Sequence, residues 1–197
     1  REIMSRLFAS GVRTGRAFRI YKHYGDQAIA KVRRHPYCLA RDIHGIGFKI
    51  ADQIAEKLGI EKESVLRARA GLTYVLLELS NQGHCAYPRD DLLAKSAEML
   101  GIPLGTLEEA LRIEIENGAL TVGSGEDNEP WVYLAVLDRD EREVAGRLAE
   151  IAQGPHPCPK IDLPAAVDWV QQQLGMELAE GQKQAFFGAF RHKVLVI

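Results

Sequence analysis

The turn Gly45-Ile46-Gly47 constrains the fold of this 197-residue chain more than any other feature. It lies within residues 39–54, where apolar positions repeat at helical spacing on both sides of it. Leu39 and Ile43 precede the turn, and Ile50, Ala51 and Ile54 follow it. Two glycines one residue apart permit positive φ and let another molecule reach the backbone with no Cβ in the way. A second helix starting near Phe48 leaves its first N–H groups without partners inside the helix. Those donors, at the positive end of the helix dipole, suit a phosphate.

This pattern resembles the helix-hairpin-helix motif, which grips nucleic-acid backbone without reading base sequence. Gly45, Ile46, Gly47 and Lys49 are the expected DNA contacts, and Ala51 is small enough for a close helix crossing. The alternative is that the glycines only let two helices turn sharply. A net charge of −2 conceals a division that favours contact with a polyanion. Residues 1–71 hold 15 basic and 7 acidic side chains, whereas residues 72–197 hold 10 basic and 20 acidic. Arg13, Arg16, Arg19, Lys22, Lys31, Arg33, Arg34, Arg41 and Lys49 form a candidate basic footprint. Ser10-Gly11-Val12 reads as a degenerate first hairpin, adding Gly11, Arg13 and Arg16 as candidate contacts.

Other chemistries find little support. Cys38, Cys85 and Cys158 are odd in number and far apart, which argues against a disulfide framework. His84-Cys85 and His156-x-Cys158 each offer two ligands, too few for a metal centre. The chain contains no P-loop, no Gly-x-Ser-x-Gly elbow and no His-Glu-x-x-His. It has no apolar run near the roughly 20 residues that span a bilayer and no visible secretory leader, so a reduced, cytoplasmic protein without membrane contact is expected. Helix-hairpin-helix base-excision glycosylases offer an enzymatic alternative, because some carry a catalytic Lys where Lys49 stands. The stretch where their Asp is expected, 65–70, holds Arg67 and Arg69 but no carboxylate.

Local signals predict a mainly α chain in four parts. A tandem helix-hairpin-helix region covers 1–62, with a short helix at 3–9, another at 14–24, an Asp26-capped helix ended by His35-Pro36, and Gly59 closing the last. A winged-helix-like module follows at 63–153. Its helices are capped by Ser64, by Asp90 and by a Thr106–Glu109 capping box, and a β-hairpin occupies 119–122 and 131–134. Gly71 interrupts the first of these helices. The third carries Glu108, Glu109, Glu114 and Glu116 against Arg112, so packing or partner contact is favoured over DNA reading. A further helix should bury Val144, Leu148 and Ile151. Pro-rich 154–162 reads as a linker. Two helices and a buried strand at 194–197 then form 163–197, the start of a RecA-like α/β motor domain. Arg1 opens directly in an amphipathic stretch and the chain stops on that strand, as in a fragment.

Taken together, the chain resembles RecD/TraA-type superfamily 1 DNA helicases of the long-N-terminus class. The resemblance rests on residues 20–25 (Ile-Tyr-Lys-His-Tyr-Gly), 35–39 (His-Pro-Tyr-Cys-Leu), 42–52 around the Gly-Ile-Gly turn, 83–88 (Gly-His-Cys-Ala-Tyr-Pro), 141–145 and the Gln182 segment. In that family a Gln shortly before the first motor strand holds the adenine edge, which its amide can both donate to and accept from; Gln182 fits that slot. Ala179 departs from the Asn often found there. The resemblance implies ATP-dependent, Mg-requiring 5′–3′ unwinding by the parent protein, in DNA recombination or repair. Its implied partners are single-stranded or junction DNA and the subunits of a helicase–nuclease complex such as exodeoxyribonuclease V. These 197 residues lack the phosphate loop, so they are expected to bind DNA but not to hydrolyse ATP. A protein-docking scaffold without direct DNA contact is the competing expectation.

Overall fold

The computed structural model describes residues 12–125 and 128–196. The chain divides into two compact units, Arg1–Asp138 and Arg139–Ile197. In the first, helices α1 (Thr14–Tyr24), α2 (Ala28–Arg34), α3 (Cys38–Asp42), α4 (Phe48–Lys57) and α5 (Val65–Ser80) are followed by strand β1 (Ala86–Pro88). Helices α6 (Arg89–Leu100) and α7 (Leu104–Glu116) and strands β2 (Leu120–Ser124) and β3 (Pro130–Leu134) complete it. The three strands form an antiparallel sheet in the order β1-β3-β2. Helix α8 (Ala135–Ala152) crosses the division, and α9 (Leu163–Leu174) and α10 (Glu180–Arg191) lie in the second unit.

A continuous hydrophobic core runs through the first unit from the hairpin to the sheet. Ile20, Leu39, Ile46, Leu72, Leu92 and Val132 are among its fully buried side chains. Helix α5 is its axis, with Ala68, Gly71, Leu72, Val75, Leu76 and Leu79 buried along one stripe. Ser64 caps α5 as expected, its hydroxyl accepting the Arg67 N–H at 3.4 Å. Gly71 reflects packing: a Cβ there would collide with Cδ1 of Leu100.

Several local expectations give way. Gly25–Gln27 forms a 3₁₀ turn, so Gln27 rather than Asp26 precedes α2. Helices α6 and α7 start at Arg89 and Leu104, directly after Pro88 and Pro103, which places Asp90 and Thr106 inside the first turn instead of at the cap. The prolines supply the extended geometry that a capping residue would otherwise provide. Strand β1 has no sequence counterpart above; three residues are too few to show alternation, and pairing with β3 creates it. Val144, Leu148 and Ile151, expected in a core, are 58%, 45% and 51% exposed. No strand forms at 194–196, where Val196 is 93% exposed. The second unit has no other strand among its described residues to pair with it. Residues 153–162 carry no helix or strand.

Candidate nucleic-acid interface

The turn between α3 and α4 is held from the core outward. Ile46 is 2% exposed and its N–H donates to the Ile43 carbonyl at 3.1 Å. It was expected among the DNA contacts; instead, its side chain anchors the turn and its amide closes it. Gly45 has φ +80°, where an L side chain is strained. A Cβ at Gly45 would also stand 2.6 Å from Nη1 of Arg19. That guanidinium donates from Nη1 to the His44 carbonyl at 2.8 Å and from Nε to the Gly15 carbonyl at 3.3 Å, tying α1 to the turn.

Gly47 is different. It precedes α4 in an extended conformation, φ −91° and ψ 177°, with no side-chain cap. No atom lies within 4 Å of the place a Cβ would take. The Ile50 and Ala51 N–H groups return to the Gly47 carbonyl at 3.1 Å, while those of Gly47, Phe48 and Lys49 find no partner among the described residues. Three main-chain donors without a partner among the described residues therefore stand at a positive helix end, next to open space at Gly47.

Aromatic and ionic contacts fix the direction of α4. Phe48 is buried between Tyr37, with centroids 5.8 Å apart, and Tyr74, at 4.8 Å, both nearly parallel to it. Exposed Lys49 holds its Nζ 5.9 Å from the Tyr74 ring centroid. One turn further along α4, Asp52 accepts from the Tyr37 hydroxyl at 2.7 Å and from Arg67 Nε at 2.9 Å and Nη2 at 3.1 Å. Nη1 of Arg67 also donates to the carbonyls of Lys62, at 2.9 Å, and Leu100, at 2.8 Å. Arg69 pairs with Glu114 at 2.5 Å. Both arginines of 65–70 are thus committed to structural ion pairs.

A second network braces α3. The Tyr24 hydroxyl donates to Asp42 Oδ2 at 2.7 Å and lies 3.3 Å from Cys38 Sγ. Arg41 Nε donates to Asp42 Oδ1 at 2.7 Å. The Arg41 hydrogen bond holds the Asp42 carboxyl below its ordinary range, and burial, followed by hydrogen bonding to neighbouring acidic groups, pushes the Tyr24 and Tyr37 phenols upward. The signs give opposite limits. The Asp42 contribution is present above pH 3.8, its ordinary value, and is lost as acid protonates the folded form. The tyrosine contribution is full below pH 10.0 and is lost as pH rises beyond it. Thermal melts should therefore show Tm falling above about pH 10, with a shallower fall in the double variant Tyr24→Phe/Tyr37→Phe. An unchanged alkaline slope in that variant would show that other groups govern it.

The remaining candidates are dispersed. Arg13 is exposed just before α1, and its carbonyl accepts the Arg16 and Ala17 N–H groups at 2.9 Å. Arg16 is half-buried at a depression of about 180 Å³ shared with Val12, Ile50, Gln53 and Lys57. Gly11 lies outside the described residues. In the second unit, Gln182 is exposed and its Oε1 accepts the Ala179 N–H at 2.9 Å, bracing the start of α10. Arg19, Asp52 and Arg67 were missed as organising residues of the site. Arg67 had left one signal: it lies four residues before Gly71 and eight before Val75, so a charge falls on the edge of an apolar stripe and must be paired there.

Two short helices joined by this glycine turn and packed on a longer helix define a helix-hairpin-helix domain. Residues 1–86 match the family described as the HHH domain of the ATP-dependent RecD2 DNA helicase. The match supports a RecD2-type helicase N-terminus for that segment and points to DNA as a partner. Among the described residues, no helix is long and apolar enough to cross a membrane.

Proposed function

We propose that this chain is the N-terminal part of an ATP-dependent 5′–3′ DNA helicase of recombination or repair, and that its hairpin holds DNA backbone without reading sequence. The observation that carries this reading is the open space at Gly47, where three amides with no partner among the described residues stand beside Lys49 at a helix N-terminus. Bound phosphates would complete those donors and release counterions, so affinity should fall steeply with salt. The module from α5 to β3, in the order helix, strand, helix, helix, strand, strand, is read as winged-helix-like. Its third helix spends Glu114 on Arg69 and Arg112 on Glu116, which suits packing better than phosphate contact. Residues 163–197 are read as the approach to a RecA-like motor in the cytoplasm. ATP and Mg belong to the parent protein's chemistry, with Gln182 the candidate adenine contact once released from Ala179. With no phosphate loop, these 197 residues should not hydrolyse ATP.

Titration of a labelled oligonucleotide at two salt concentrations tests the proposal. Lys49→Glu should weaken binding roughly tenfold, flatten the salt dependence by about one phosphate contact, and leave Tm nearly unchanged because Lys49 is exposed. If the wild-type chain gives no signal at low salt, the hairpin has no DNA role and the scaffold reading takes its place.

A further inference from the structure

Helix α1 presents an aromatic face that the hairpin reading does not use. Phe18 is 60% exposed and Tyr21 is 39% exposed, three residues apart and so on one side of the helix. Lys22 shares that side, and Gly15, one turn before Phe18, has nothing within 4 Å of where its Cβ would be, leaving access to the ring from that end. The face belongs to a strongly cationic segment: residues 12–41 hold eight Lys and Arg side chains and one acid, Asp26. Of the eight, only Arg41 has an ion-pair partner among the described residues. Phe18 also adjoins Arg19, whose guanidinium touches the His44 carbonyl in the turn. At about 100° per residue the Phe18 and Tyr21 face is turned away from the side on which Arg16 and Arg19 meet α4 and the turn.

An isolated exposed aromatic would need no explanation. Two on one face, in a segment nearly free of acids, match the composition of a stacking platform: cations track phosphates while rings receive bases. We infer that Phe18, flanked by Tyr21, stacks an unpaired base of single-stranded DNA whose phosphates run along the cationic side chains of this segment. The inference rests on the proposed DNA binding and adds a base contact that single strands alone can make, because duplex bases are already stacked and present no free face.

The full chain should be titrated with three labelled probes of equal length: oligo-dT, an abasic strand and a duplex. Phe18→Ala should weaken oligo-dT binding roughly tenfold or more and change abasic and duplex binding less than about twofold, whereas Phe18→Trp should retain oligo-dT binding. Tm should hold in both variants, since the ring is mostly exposed. Equal losses on all three probes, or no loss on oligo-dT, would overturn the stacking platform. Gly47→Asp reads the hairpin separately and should weaken all three probes. If it weakens none while Phe18→Ala remains selective for oligo-dT, the hairpin reading fails and the platform stands. If the wild type binds no probe, both fail.

Discussion

Arg67→Ala should lower the stability of the first unit by about 2–4 kcal/mol. The guanidinium is 13% exposed and makes four hydrogen bonds, two to Asp52 and one each to the carbonyls of Lys62 and Leu100. Truncation strands a carboxylate that is 24% exposed, with only the Tyr37 hydroxyl left to it among the described residues, and leaves two carbonyls without this donor. Partial exposure of Asp52 keeps the estimate below that for a fully buried pair. In a unit of this size the loss corresponds to a fall in Tm of roughly 10 °C. Arg67→Lys should recover only part of it, because an ammonium cannot span Asp52 and both carbonyls with the geometry of a planar fork. A double-mutant cycle with Asp52→Asn isolates the pair. Should Arg67→Ala melt within about 2 °C of the wild type, water would be replacing these bonds at little cost.

The second large effect separates function from stability at Gly47. Asp at this position supplies a capping carboxylate to the free N–H groups of α4 and complements the helix dipole. Its extended backbone accommodates a side chain, and nothing occupies the space around it. Stability should rise by a few tenths to about 1 kcal/mol while DNA affinity falls at least tenfold, since the new carboxylate takes the phosphate's donors and repels it. Gly45→Val should behave differently. There φ is +80° and the side chain would strike Arg19, so folding and binding should decline together. A paired measurement of Tm and affinity distinguishes the positions. Loss of stability in Gly47→Asp, or wild-type affinity in that variant, would refute the phosphate-binding assignment.

The contrast between these glycines shows what could be read from the chain and what could not. The turn, its flanking apolar stripes and the first helix boundaries are written in residues within about one helical turn of each other, because hydrogen bonding and side-chain spacing act at that range. Ser64 illustrates this: its cap bond spans three residues and was expected from the sequence. In the same local terms, Gly45 and Gly47 looked equivalent. Their difference depends on Arg19, 25 residues from the carbonyl it holds, and on the open space at Gly47. Ile46 shows the same limit from the opposite side. An apolar residue between two glycines suggested contact, whereas packing against the core made it the anchor.

The chain alone determined a mainly helical build, a glycine-bracketed hairpin and a basic first segment, since periodicity, turn chemistry and charge are properties of neighbouring residues. Tertiary structure alone decided which amides stay open, which arginines are spent on Asp52 and Glu114, and that Ala86–Pro88 becomes a strand. Those outcomes depend on groups 15 to 47 residues apart meeting in one core, and no local preference specifies such a meeting.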